Sequence, residues 1–447
     1  MTMPSASTYR SQATKTSLLL GTAALVASTT ASAAVSFQPG AVVELAEPSP
    51  ERVALGDLNG DGHLDAVITC KGTDSDVGAI TVWTGDGSGG FTDDAALTGL
   101  GHPWGVCVVD LTGDGRPEIV ATNGGSGSTA VAVYLNTTSA GAQTPSFQML
   151  GPFTAGAFPI GVAAADFNGD GVMDLAVSNN VTYGLSILLG LGGGQFGPPN
   201  HVPNQGGMKA TGLDLADFDH DGHADLVVPN YNGFKVFKGL PDGSFQSMSG
   251  AMGSSLLSDA CVGDFDGDGN DDVAGSAQYG DFVQAFHGNG TFGFASLGSW
   301  STPSWPEDTV AADLNGDGSD DIACTTLDGD KVFVIVSGPS GPETLTMTAA
   351  TWQPTGIAAG DMNEDGRPDL VYAMANLGDT GQLQVLLNTT IFPPPCAPGD
   401  LDCNGTIDGA DLGSLLGAWG SSSPTADLNG DGTVDGADLG LLLSMWG

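Results

Sequence analysis

VAAADFNGDGVMDLAVS, from Val162, places an aspartate-rich turn between two short apolar runs, and the chain repeats this arrangement seven times. The other copies are VALGDLNGDGHLDAVIT from Val53, VCVVDLTGDGRPEIVAT from Val106 and LDLADFDHDGHADLVVP from Leu213. ACVGDFDGDGNDDVAGS from Ala260, TVAADLNGDGSDDIACT from Thr309 and GIAAGDMNEDGRPDLVYA from Gly356 complete the set. The leading aspartates are 57, 110, 166, 217, 264, 313 and 361, a period near 50 that suits one four-stranded propeller blade. The predicted fold class is all-β, a seven-bladed β-propeller.

Each repeat supplies the strands of a blade. The run before the turn is small and apolar, as an innermost strand at a crowded axis requires, and the run after it is richer in Val, Ile and Leu. A third strand follows (LSILLG from Leu185, FKVFKG from Phe234, VFVIV from Val332), then Gly-rich turns ending at Phe91, Phe196, Phe245 and Phe292 open the fourth. Repeat seven stops after LQVLLN (383–388) without a fourth strand, whereas Val35 to Glu47 forms a strand that precedes any first one. That orphan is predicted to complete blade seven and close the ring, leaving no open sheet edge.

The turns read D-x-[DNT]-x-D-G-x-x-[DE]. Oxygen donors at positions 1, 3, 5 and 9 and a backbone carbonyl at 7 make the hard cage that calcium takes, with Gly at 6 for the reversal. The predicted ligands are Asp57, Asn59, Asp61 and Asp65; Asp110, Thr112, Asp114 and Glu118; Asp166, Asn168, Asp170 and Asp174; Asp217, Asp219, Asp221 and Asp225. They continue with Asp264, Asp266, Asp268 and Asp272; Asp313, Asn315, Asp317 and Asp321; Asp361, Asn363, Asp365 and Asp369. The set lacks the thiolates and paired imidazoles of a zinc site. His63, His220 and His223 fall at positions 4 or 7, where side chains are expected to face solvent. The pattern resembles the FG-GAP/VCBS repeats, including the calcium loops of the integrin α-subunit propeller. The resemblance implies a metal loop between the first and second strands of each blade, about seven Ca²⁺ in all.

A Pro-rich linker, 391–399, leads to a second kind of repeat over 400–447. DLDCNGTIDGADL from Asp400 and DLNGDGTVDGADL from Asp427 carry donors at 1, 3, 5, 9 and 12: Asp400, Asp402, Asn404, Asp408, Asp411 and Asp427, Asn429, Asp431, Asp435, Asp438. Each is followed by an amphipathic stretch, and Leu415, Leu416 and Trp419 are expected to face Leu442, Leu443 and Trp446 across a small α-helical core. This duplication of half EF-hands resembles the dockerin type I domain, which implies two further Ca²⁺ and a cohesin-like or cell-surface partner. A calcium-tightened cap without a partner is the alternative.

Residues 1–33 read as a cleaved secretory signal, with Arg10 and Lys15 ahead of a short apolar stretch and Ala31-Ser32-Ala33 as the cleavage site. Residues 34–390 are then the propeller of an exported, extracellular or surface-associated protein with no membrane span. Cys396 and Cys403 are read as a disulfide, and Cys70, Cys107, Cys261 and Cys324 as buried thiols. A formal charge of −42 disfavours nucleic acid and anionic lipid.

The face opposite the metal loops is expected to carry Trp104, Phe158, Tyr183, Tyr231, Tyr279, Trp305 and Trp352, either as a platform for glycan or extracellular protein or as lids on the hub. The leading function is a binding or adhesion scaffold and no enzyme. The alternatives are a polysaccharide lyase or glycoside hydrolase, and a passive structural component. Against catalysis stand the absence of a Gly-x-Ser-x-Gly turn and the scarcity of bases and electrophiles beyond the metal-assigned aspartates.

Overall fold

The structure is a computed structural model. It describes residues 35–447 except 73–76, 182–183, 203–211, 231–232, 249–256, 338–341, 349–351, 377–379, 392–398, 400, 402–406, 408, 422–425, 430–431 and 447. The signal-like segment, the Cys396–Cys403 pair, Tyr183 and Tyr231, and Asp400, Asp402, Asn404, Asp408 and Asp431 lie outside the described residues.

Seven antiparallel four-stranded sheets follow one another along the chain as the blades of a propeller. Blade one runs Pro50–Gly56, Asp65–Cys70, Ala79–Gly85 and Phe91–Leu97, and blade two Pro103–Val109, Glu118–Asn123, Ala130–Asn136 and Phe147–Thr154. The ring closes as predicted. Strand Phe37–Leu45 pairs with Gly381–Asn388 in blade seven, from Phe37 opposite Asn388 to Leu45 opposite Gly381. The first and last strands of the propeller thus share one sheet, and Leu45 is fully buried in it.

The first strands line the axis, packing against one another across neighbouring blades. Space there is short. A Cβ on Gly356 in blade seven would stand 2.6 Å from the Cα of Arg52 in blade one, so only glycine fits. The apolar core is a ring: seven buried clusters, each lying between two adjacent blades. Valines, isoleucines and leucines of the second and third strands fill them, since those strands are buried on both faces. Thr69, Thr122 and Thr325 each donate a hydroxyl hydrogen bond to a first-strand carbonyl of the next blade, at 2.5 to 2.7 Å.

Two local expectations change. In blade three the chain from Gly190 to Phe196 folds into its own small hairpin, and the fourth strand starts only at Asn200. In blade five the fourth strand opens at Phe294, two residues later than expected, and both Phe292 and Phe294 pack edge-on against Phe218 of blade four. Of the four thiols, Cys70, Cys261 and Cys324 are buried and free, while Cys107 is only half-buried.

In the C-terminal module two short helices, Gly409–Gly417 and Gly436–Met445, pack around Leu415, Ala426, Val434 and Leu442. Asp435 caps the second helix by accepting the Ala437 N–H, and Asp438 accepts the Asp435 N–H in return. The expected apposition of both Leu-Leu-Trp triplets is corrected here. Leu415 and Leu442 are buried, but Leu416, Trp419, Leu443 and Trp446 are 41 to 52% exposed. On a helix, adjacent residues point about 100° apart, so a narrow two-helix seam takes one leucine of each pair.

Candidate metal centres and the opposite aromatic face

Every loop lies between the first and second strands of its blade, because the residue at position 9 is the first of the second strand. Position 1 organises the turn. Asp57 accepts N–H groups from Gly60, Asp61 and Gly62 at 2.7 to 3.2 Å, and Asp166, Asp264, Asp313 and Asp361 repeat much of this pattern. Glycine at position 6 takes φ between 82° and 93° in all seven loops, a left-handed conformation that other residues resist. Where position 3 is Asn, its amide donates to the position-5 carboxylate at 2.9 to 3.0 Å, in loops one, three, six and seven.

Position 9 is the deepest of the donor positions. Asp65, Glu118, Asp174, Asp225, Asp272, Asp321 and Asp369 are all essentially inaccessible to solvent. Each accepts one N–H from position 2 of its loop and another from the end of the third strand, as Asp65 does from Leu58 at 2.8 Å and Gly85 at 2.9 Å. Burial pushes these carboxyls up, to about 6 at Asp65, Asp225 and Asp369 and to about 7 at Asp272 and Asp321, although the two N–H donors pull the other way. Glu118 and Asp174 are raised for the same reason. Among the described residues no lysine or arginine pairs with any of the seven.

These donors suit a hard dication. Carboxylate and amide oxygens converge on one turn, and in loops four and five donor oxygens of Asp217, Asp219 and Asp225 and of Asp264, Asp266 and Asp268 lie within 4.8 Å of one another. In the C-terminal module, Asp411 accepts the Leu401 N–H, and Asp438 accepts that of Asn429, so the position-12 carboxylates are buried and turned into their loops.

The loops are also joined into a belt, which sequence reasoning missed. His63 contacts Glu364 of loop seven, and His220 meets Asn270 of loop five at 3.0 Å, so these imidazoles bridge neighbouring blades where free exposure was expected. Asp271 and Asp320 accept the N–H groups of Asp217 and Asp264 in the preceding blades, and Asn136 and Asn388 donate to the Leu58 and Leu314 carbonyls. Asn at the end of a third strand, twice in the same repeat position, was the available sequence signal.

At the other end of the ring the aromatics form two described pairs. Trp104 and Phe158 lie 6.2 Å apart with Lys71 above the Trp104 ring, and Tyr279 and Trp305 lie 5.5 Å apart. Tyr279 is 66% exposed, and Phe158 and Trp305 hold positive φ, which fixes their rings at the strand entrances. Trp352 is instead packed on the cluster between blades six and seven.

Between these ends the axis holds a cavity lined by Arg52, Asp214, Asp259 and Asp308 among small apolar residues. Arg52 Nε lies 3.4 Å from Asp308, and the three aspartates accept N–H groups from Val262, Thr309 and Ile357 of the following blades at 2.8 to 3.0 Å. This buried polar hub ties blades four to seven together. It was not predicted, since each aspartate sits alone in its own repeat.

With seven blades and seven such loops in place, the family comparison is decisive. Residues 57–121, 110–177, 175–228, 264–324 and 313–372 match the FG-GAP-like repeat, and these segments contain all seven loops. The chain belongs to the FG-GAP-like repeat family. Among solved structures, the FG-GAP-like propeller is similar to BBS1N in complex with ARL6DN, at 14% identity and TM-score 0.53 over 79% of this chain and 98% of that one. It is also similar to a putative 6-phosphogluconolactonase from Bacteroides uniformis, at 12% identity and TM-score 0.50 over 66% and 85%. A lectin from Agrocybe aegerita aligns at 18% identity over 78% and 94%, with TM-score 0.47. No curated protein matches the chain. Among the described residues no helix is long and apolar enough to cross a membrane.

Proposed function

We propose that this chain is a secreted, calcium-loaded propeller scaffold that binds a glycan or an extracellular protein on its aromatic face. One observation carries the calcium reading: seven fully buried carboxylates stand at the same place in seven loops, each with two N–H donors and no Lys or Arg partner. A carboxylate so placed favours the neutral form unless a cation joins it. A dication drawing on positions 1, 3, 5 and 9 supplies that charge and locks the loop between two strands. The scaffold role fits the same geometry, because the ions rigidify one end of the ring and leave two aromatic pairs at the other, with Tyr279 exposed and Trp104, Phe158 and Trp305 half-buried.

The C-terminal module serves attachment in this reading. Four large apolar side chains, Leu416, Trp419, Leu443 and Trp446, stand out from its two helices. Their symmetrical exposure on so small a module favours a protein partner over a simple cap.

The test is metal content of the mature chain, followed by glycan-array binding in calcium and in chelator. The expected result is about nine divalent ions per chain, Ca²⁺ in all or all but one, and binding that the double variant Tyr279→Ala/Trp305→Ala abolishes without unfolding. A chain that binds no calcium removes the metal reading. Undiminished binding by the double variant removes this face as the ligand site.

A further inference from the structure

Loop five differs from the other six in a way that changes its metal chemistry. The third strand of each blade ends beside the loop, and the residue whose N–H reaches the position-9 carboxylate marks a common register: Gly85, Asn136, Gly190, Gly239, Gly288, Ser337 and Asn388. The side chain just before that residue reaches the loop in blade four, where Lys238 pairs with Asp219 and Asp221. In blade five alone it is an imidazole, His287. In the others it is Thr, Leu, Leu, Lys, Val or Leu.

His287 Nδ1 is aimed into the ligand set. It lies 2.8 Å from Asp266 Oδ2 and 3.7 Å from both Asp268 Oδ2 and Asp272 Oδ1. The ring is about 30% exposed, but this nitrogen is shut off from solvent, and it stands at ion-pair distance from Asp266 without a hydrogen bond of its own. Asp272 is held rigid from the opposite side by N–H groups of Phe265 at 2.9 Å and Gly288 at 2.6 Å. One donor atom from each of Asp266, Asp272 and His287 falls within a sphere of 4.8 Å mutual separation. Metal–ligand bonds of about 2.0–2.2 Å give ligand–ligand edges of about 2.9 Å in an octahedron and about 3.5 Å in a tetrahedron, which matches this spacing.

We propose that loop five is a transition-metal site, holding a borderline divalent ion such as Zn²⁺, Mn²⁺ or Co²⁺ through Asp266, Asp272 and His287 Nδ1. Calcium draws only on oxygen and makes no use of the imidazole nitrogen set among these carboxylates, whereas zinc and its neighbours bind imidazole strongly. The proposal rests on the reading of the loops as metal sites, and it divides them into six oxygen-only cages and one mixed nitrogen–oxygen site.

Cobalt is the probe, because its visible absorption reports nitrogen–oxygen ligation directly. The full mature chain is titrated with Co²⁺ in excess calcium. The expected result is one equivalent bound, with a visible band that one equivalent of Zn²⁺ removes. His287→Ala is expected to lose the band and at least about 100-fold in Co²⁺ affinity, with circular dichroism and total calcium unchanged. His287→Gln, which restores an oxygen donor, should also lack the band while keeping calcium. An unaltered band in His287→Ala, or no cobalt bound by the wild-type chain in calcium, overturns the proposal. Cobalt bound through His287 by a chain that takes up no calcium strikes the calcium reading alone.

Discussion

If the loops hold calcium as proposed, chelation leaves seven buried carboxylates without a counter-charge at once, and the cost can be worked from their titration. Five of them are raised by burial from 3.8 to about 6 or 7. Each unit of difference between folded and unfolded states is about 1.4 kcal/mol, so near neutral pH each ionised carboxylate costs roughly 3 to 4 kcal/mol. Five together cost on the order of 15 kcal/mol, comparable to the whole stability of a typical domain, about 5–15 kcal/mol. At about 2.1 cal/mol/K of unfolding entropy per residue, a loss of that size lowers the Tm of a propeller of this length by about 20 °C.

The sign with pH follows from proton counting. A raised acid binds its proton more tightly in the folded state. The metal-free protein is therefore most stable below about pH 4 as far as these groups decide it, and loses stability as pH rises through about 6 to 7. At about pH 5 roughly half of the cost is already relieved by protonation. Bound calcium is expected to reverse the dependence, since a dication takes the ionised form. Calorimetry in calcium and in chelator, at about pH 5 and about pH 7.5, measures all four corners. The expected outcome is a drop of tens of degrees on chelation at the higher pH and a much smaller one at the lower. An unchanged Tm in chelator near neutral pH, or a metal-free Tm that climbs between these two values, refutes the reasoning.

Three further outcomes follow from other parts of the structure. Leu45→Ala, in the N-terminal strand that closes blade seven, should cost about 2–5 kcal/mol in urea unfolding, and an effect below 1 kcal/mol would mean that the closing strand contributes little. Arg52→Ala leaves Asp308 unpaired in the hub and should cost about 3–5 kcal/mol, with partial recovery in Arg52→Ala/Asp308→Asn; no recovery in the double variant would show that the ion pair is not the source. Thiol reagents should leave Cys70, Cys261 and Cys324 untouched until the chain unfolds, because burial raises all three; rapid labelling of any of them in the native protein would contradict their placement between blades.

Much of this architecture is written in the chain. A period near 50, seven in-phase turns and a strand missing at one end and surplus at the other specify the blade number, the loop placement and the closure, since each depends only on local pattern and on counting. The geometry of each loop was legible for the same reason: a turn of nine residues is built from its own neighbours, as Asp57 shows with Gly60 and Gly62. Tertiary structure decided whatever depends on bringing distant repeats together. Arg52 meets Asp308 only because blades one and six both face the axis, and His63 meets Glu364 only because blade one follows blade seven around the ring. His287 reaches Asp266 and Asp272 through strand register, which sets a third-strand side chain beside a loop some twenty residues earlier. The two module helices expose Leu416 and Leu443 because their seam is too narrow for both leucines of each pair. Sequence period determines what repeats; the closed ring determines which of the repeated parts touch.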